Sequence, residues 1–179
     1  MSVTQSVTSR RRSPRNRRLS TGPRRVVLIA HIASAGAWLG IDVVMAVFIA
    51  TAQLTDDADL RALCFLALEV FAVWPLMVTG LLCLVTGVVL GLGSKWGLVR
   101  YWWVAIKLAL NVILTVLVLA ALRGGVAESA EQARRWIAGE PAMLDVGDLI
   151  FPPIVSSTAL LIAMALSVIK PWGLIRRRG

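Results

Sequence analysis

The residues able to do chemistry lie inside apolar sequence. In the stretch AHIASAGAWLGID, Ala30 to Asp42, a histidine and an aspartate stand eleven residues apart, which at about 100° per residue falls within about 20° of three full helical turns. His31, Ala35, Trp38 and Asp42 therefore share one helix face, with about 16 Å of axis between the first and the last. Glu69, Lys107 and Asn111 also fall within or beside apolar runs. Polar and ionisable side chains inside a membrane are costly, and each carries a functional hypothesis by default. Side chains lean toward the N-terminus of their own helix. Lys107 can therefore reach back to one headgroup layer and Glu69 to the other. Asp42 has no such exit, since it lies about 24 Å along a helix counted from Val26 and leans toward the midplane. It must be paired, protonated or hydrated. A neighbouring Glu69 would make two carboxylates share a proton; an Arg123 reaching in would make a structural ion pair. His31 sits at the opposite level, beside Lys107 and Asn111. Lys107, Asn111 and Thr115 form a second polar stripe, read either as helix-to-helix bonding at about 0.6 to 2 kcal/mol per bond or as a water-filled pathway.

Redox and metal chemistry have little to build on. Haem between helices commonly takes two axial ligands, and His31 is the only histidine. It is a weak candidate for a cofactor ligand. Met45, Met77, Met143 and Met164 are read as packing, the commoner use of an isolated methionine. Cys64 and Cys83 would lie about 28 Å apart on one regular helix, too far for a disulfide or a shared copper ion. No catalytic constellation, metal-binding spacing or phosphate loop stands out, so neither a cofactor nor an enzymatic activity is expected.

These residues need long apolar elements to hold them, and the composition supplies those. With 58% hydrophobic and 16% charged residues and a mean hydropathy of +0.77, the chain lies outside the range of soluble domains. It reads as an integral membrane protein with four spans, at about 26–50, 66–92, 101–122 and 149–169, each near the length of about 20 residues that a bilayer requires. The expected fold is all-α, a four-transmembrane-helix bundle over residues 26–170. Pro75 should kink the second span, because its ring clashes with the carbonyl of Phe71. Asp148 and Pro152-Pro153 suit the start of the fourth. Thr79-Gly80 and Thr86-Gly87 repeat seven residues apart, a narrow stripe for close helix approach.

Charge sets the expected orientation. Arg10, Arg11, Arg12, Arg15, Arg17, Arg18, Arg24 and Arg25, the turn with Lys95 and Arg100, and the tail with Lys170, Arg176, Arg177 and Arg178 contain no Asp or Glu. By the positive-inside rule these segments, and both termini, are cytoplasmic in a multi-pass plasma-membrane protein. The arm 1–25 lacks the apolar residues to fold and reads as disordered, a topology signal with contact to anionic lipids; without interleaved aromatic residues to stack bases, nucleic acid is not an expected partner. The tail 171–179 is basic as well. Trp96, Trp102, Trp103 and Trp172 on one side and Trp136 on the other mark the headgroup belts. In the outer loop 123–148, Val126, Ala130, Ala133 and Ile137 have helical spacing, which predicts a short helix lying on the membrane surface.

HIASAGAWLG in the first span, the turn SKWGLVRYWWVAIKL and the closing KPWGLIRRRG resemble the small four-span membrane proteins of unknown function common in actinobacteria, which are distantly similar to copper-resistance membrane domains. The resemblance runs from about Val26 to Arg178 and implies a four-helix membrane bundle. The copper-resistance relatives carry further histidines where this chain has His31 alone, so no metal chemistry carries over. The leading reading is an accessory or assembly-type membrane protein, as a homo-oligomer or with a membrane-protein partner, its buried polar residues holding helices together. A second is a small transporter or proton-coupled carrier using Asp42 and the Lys107, Asn111 and Thr115 stripe. A third is a haem- or copper-binding electron-transfer subunit using His31.

Overall fold

The computed structural model describes residues 20–93, 98 and 101–169. The elements are α1 (Thr21–Leu54), α2 (Ala58–Phe71), α3 (Val73–Leu92), α4 (Trp102–Leu117), a π-helical turn (Val118–Leu122), α5 (Arg123–Ile137), a 3-10 turn (Gly147–Ile150) and α6 (Phe151–Ile169). They make four helical rods long and apolar enough to cross a membrane: Thr21–Leu54, Ala58–Leu92, Trp102–Ile137 and Gly147–Ile169. The chain is an all-α four-helix bundle. Residues 1–19 of the basic arm, the tail 171–179, and Lys95, Trp96, Arg100 and Lys170 lie outside the described residues. The arm's expected boundary at residue 25 moves, because helix already begins at Thr21.

Local chemistry explains where the rods start, bend and stop. Between α1 and α2 lie only Thr55, Asp56 and Asp57. The Asp57 carboxylate caps α2 by accepting from the amides of Asp59 at 2.9 Å and Leu60 at 3.3 Å, as an aspartate at that position should. Arg61 donates to the carbonyls of Ala52 at 2.8 Å and Thr55 at 2.6 Å, occupying acceptors that the end of α1 leaves open. The second rod breaks at Ala72 between α2 and α3. Pro75 has no amide hydrogen for Phe71 and its ring crowds that carbonyl; regular bonding resumes with the Leu76 amide on the Ala72 carbonyl at 3.0 Å.

Contacts across the rods fix their directions. His31 meets Cys83 and Thr86, whereas Ala52 meets Arg61, so α1 runs antiparallel to α2 and α3. Lys107 meets Ser167, and α1's Trp38 meets Ser156. Both described chain ends therefore lie at one end of the bundle, here the terminal end, opposite the loop end at Thr55–Asp57. α1 is the hub, packing on α2, α3 and α6. Its stripe of Trp38, Met45, Ile49 and Ala52 meets Phe65, Leu68 and Leu76 in the core. The outward faces carry exposed Val47, Val85, Ile113 and Leu161, the lipid-facing surface that four spans require.

The third rod departs from expectation. Residues 123–137 do not form a separate helix lying along a membrane surface; α5 continues α4 through the π turn. Val126, Ala130 and Ala133 are fully buried, and α5 packs on α2. The cause is the size of these side chains, which lets two backbones approach closely, together with the π turn, whose extra residue rotates everything after it by about 100° relative to a regular helix. Ile137, expected on the same stripe, is 60% exposed. The Trp136 indole donates to Asp59 at 2.9 Å.

Candidate functional site

The polar residues of the four rods meet in one seam through the bundle, in layers about one helical turn apart. At the terminal end, His31 Nδ1 lies 3.0 Å from the Cys83 carbonyl oxygen and 3.0 Å from Thr86 Oγ1. A carbonyl can only accept, so Nδ1 carries the hydrogen. The Thr86 hydroxyl in turn donates to the Leu82 carbonyl at 2.6 Å. Across the seam, Lys107 Nζ donates to Ser167 at 2.9 Å and stands 4.7 Å from the centre of the Trp103 ring. Its ammonium thus joins α4 to α6 and leans back over the preceding turn of α4.

One turn further along α1, the Ser34 hydroxyl donates to the His31 carbonyl at 3.0 Å. Ser34 and Asn111 both approach the Cys83 thiol, whose sulfur is 3.7 Å from His31 Nδ1. Asn111 Oδ1 is buried with no hydrogen-bond partner. The next layer is filled by Trp38, fully buried, with its indole N–H donating to Ser156 Oγ at 2.9 Å. A methyl group built on Gly80 would lie 2.8 Å from the Trp38 ring and 3.4 Å from Thr115 Oγ1. One on Gly87 would lie 3.1 Å from His31 Cε1. The two Thr-Gly pairs of α3, seven residues apart, thus receive the two large side chains of α1 that are also seven apart, in antiparallel order. The glycines are sockets for Trp38 and His31.

Beyond the indole lies Asp42, 1% exposed. The Ser157 hydroxyl is 3.5 Å from Oδ2, a long contact. Oδ1 is buried without a hydrogen-bond partner.

Neither expected partner reaches Asp42. Glu69 turns toward α5 and pairs with Arg134, which also holds Glu131 at 3.3 Å. Arg123 is exposed, because the buried positions of its helix are Leu122, Val126 and Ala130. Among the described residues no cation lies within ion-pair distance of Asp42. The shared carboxylate pair and the structural ion pair are both absent.

The fold does bring the His31-to-Asp42 face against the Lys107, Asn111 and Thr115 stripe. It adds Ser34, Cys83, Thr86, Ser156, Ser157 and Ser167, which the sequence reading left out of the site. Their signal was small polar residues inside spans, the type that mediates helix contacts in membranes. Cys64 and Cys83 are both free and buried. Among the described residues, no group of three or more His, Cys, Asp or Glu could hold a metal ion. Comparison with protein-family profiles, curated proteins and solved structures finds no match to this chain.

Proposed function

We propose that this chain is a small proton-coupled membrane carrier in which Asp42 is the protonatable site, seated in the plasma membrane with both termini cytoplasmic. The observation that carries the reading is Asp42 itself, 1% exposed, with one oxygen lacking any hydrogen-bond partner and no cation beside it. A permanent charge buried in that way costs several kcal/mol. A carboxyl group that takes up and releases a proton needs no permanent counter-charge. The seam from Lys107 and His31 to Asp42 supplies polar side chains at each turn between the two levels, as a proton or ion pathway requires. The orientation rests on the acid-free basic segments and the positive-inside rule.

An accessory role keeps one supporting observation, the α2–α5 pair, which carries Glu128, Glu131 and Arg135 exposed on its surface. Co-purification of a stoichiometric partner from native membranes would favour it.

The test of the carrier reading is proton uptake into liposomes containing the purified protein and a pH-sensitive dye, driven by a potassium diffusion potential. Wild-type protein should acidify the lumen faster than Asp42→Asn. Equal rates in the two, including no uptake by either, would overturn the reading.

A further inference from the structure

We infer that Arg24 and Arg25 of α1 form a binding site for the phosphate of an anionic phospholipid, seated in a recess at the terminal end of the bundle. The site stands apart from Asp42 and needs only that the four rods span a membrane.

The recess is open, has a volume of about 330 Å³ and is lined, among the described residues, by Thr21, Arg24, Arg25 and Leu28. The last three follow Thr21 by three, four and seven residues, which places all four on one face of the first turns of α1. Ligand pockets begin at about 300 Å³, so a glycerophosphate headgroup has room here. Two guanidiniums and a hydroxyl offer hydrogen-bond donors to an oxyanion. Leu28 supplies the apolar part, and Ile29 and Ile32 on the turns that follow are exposed too, a track for acyl chains. α4 begins at this same end, and its exposed Trp102 marks the headgroup level.

The counter-charge for these arginines has to come from outside the chain's own acidic side chains. Among the described residues neither makes an ion pair, and residues 1–41 contain no Asp or Glu. The first carboxylate, Asp42, is buried and lies about 26 Å further along α1. The other acids fall within 56–69 and 128–148, at the loop end. Adjacent like charges at the edge of the hydrocarbon repel, and a phosphate between them removes the repulsion. A guanidinium fork donates to two phosphate oxygens at once, which an ammonium does not. That geometry separates a site from the diffuse attraction of a basic arm to an anionic membrane, for which lysine serves as well. A ligand with an anionic head and apolar chains uses the whole face from Thr21 to Ile32, whereas free phosphate uses the arginines alone.

The full chain in neutral detergent tests this by native mass spectrometry with phosphatidylglycerol added and phosphatidylcholine as the zwitterionic control. Circular dichroism reports that each variant is folded. Wild-type protein should retain one phosphatidylglycerol in preference to phosphatidylcholine. Arg24→Gln with Arg25→Gln should bind it about thirtyfold more weakly, at about fivefold for each basic residue near a membrane surface. Glutamine at positions 10, 11, 12, 15, 17 and 18 together should leave the lipid bound. Arg24→Lys with Arg25→Lys keeps the charge and should still weaken binding several-fold. Inorganic phosphate at the same concentration as the lipid should not displace it. Binding that survives Arg24→Gln with Arg25→Gln, that is lost with the six arm arginines, or that is unchanged in the lysine variant overturns the site in favour of diffuse surface charge. Displacement by equal inorganic phosphate overturns the lipid as its ligand. Each of these results leaves the proton site at Asp42 standing.

Discussion

A single methyl group on Gly80 would lie 2.8 Å from the Trp38 ring, and that ring, held in its layer by Ser156, has little room to give. Gly80→Ala should therefore destabilise the protein by about 1–3 kcal/mol, the usual cost of overpacking, seen as a lower melting temperature in detergent. Gly40→Ala is the control: nothing lies within 4 Å of its added carbon, and alanine's better helix propensity should leave stability equal or slightly higher. Asp42→Asn belongs at the same scale. The sequence allowed an Arg123 partner, for which the amide would lose a charge-assisted bond at about 1 to 3 kcal/mol. With Arg123 exposed, asparagine instead stands in for the protonated acid, and the melting temperature at neutral pH should hold or rise. The face shared by His31, Trp38 and Asp42 was legible in the sequence because eleven residues make nearly three turns. Ser156 and Ser157 were not, because which side chains reach Trp38 and Asp42 depends on how α6 is rotated against α1, and periodicity within one helix carries no such information.

Among the elements, α5 separates what packing contributes from what surface charge contributes. Ala130 and Ala133 are fully buried against α2, so Ala133→Leu should force the helices apart and cost about 1–3 kcal/mol. The Arg134–Glu69 pair joins the same two helices, but its side chains are 47% and 37% exposed. Arg134→Ala should cost clearly less than Ala133→Leu, because exposed pairs are screened by solvent and contribute little. Thermal unfolding of the two variants side by side checks the order; a larger loss in Arg134→Ala would mean that charge, not packing, joins α2 to α5. The Val126, Ala130 and Ala133 stripe was visible in sequence, yet its partner was not. An amphipathic segment between spans has the same pattern whether it covers lipid or another helix, and the π turn that sets its rotation has no sequence signature of its own.

For the whole molecule, the alternation of four rods makes orientation a binary question. Labelling of single cysteines placed at positions 57 or 131 should succeed from outside intact cells, and at positions 95 or 176 only after permeabilisation. Native Cys64 and Cys83 are buried, so background labelling should be low. Labelling at 95 in intact cells would reverse the assignment. The number of rods followed directly from apolar run length, since spans need about 20 residues. The rods themselves run longer than those runs, Thr21–Leu54 against an expected 26–50, because helical bonding continues into flanking residues whose polarity hides them from an apolar-run reading.

The central claim is that Asp42 takes up and releases a proton inside the bundle. The most direct measurement is the infrared difference between wild-type protein and Asp42→Asn in lipid across pH, read at the carbonyl stretch of a protonated carboxyl group. A band absent from Asp42→Asn should grow in wild type as pH falls and disappear reversibly as it rises. An Asp42 that stays ionised over the whole range in which the protein remains folded would contradict the account.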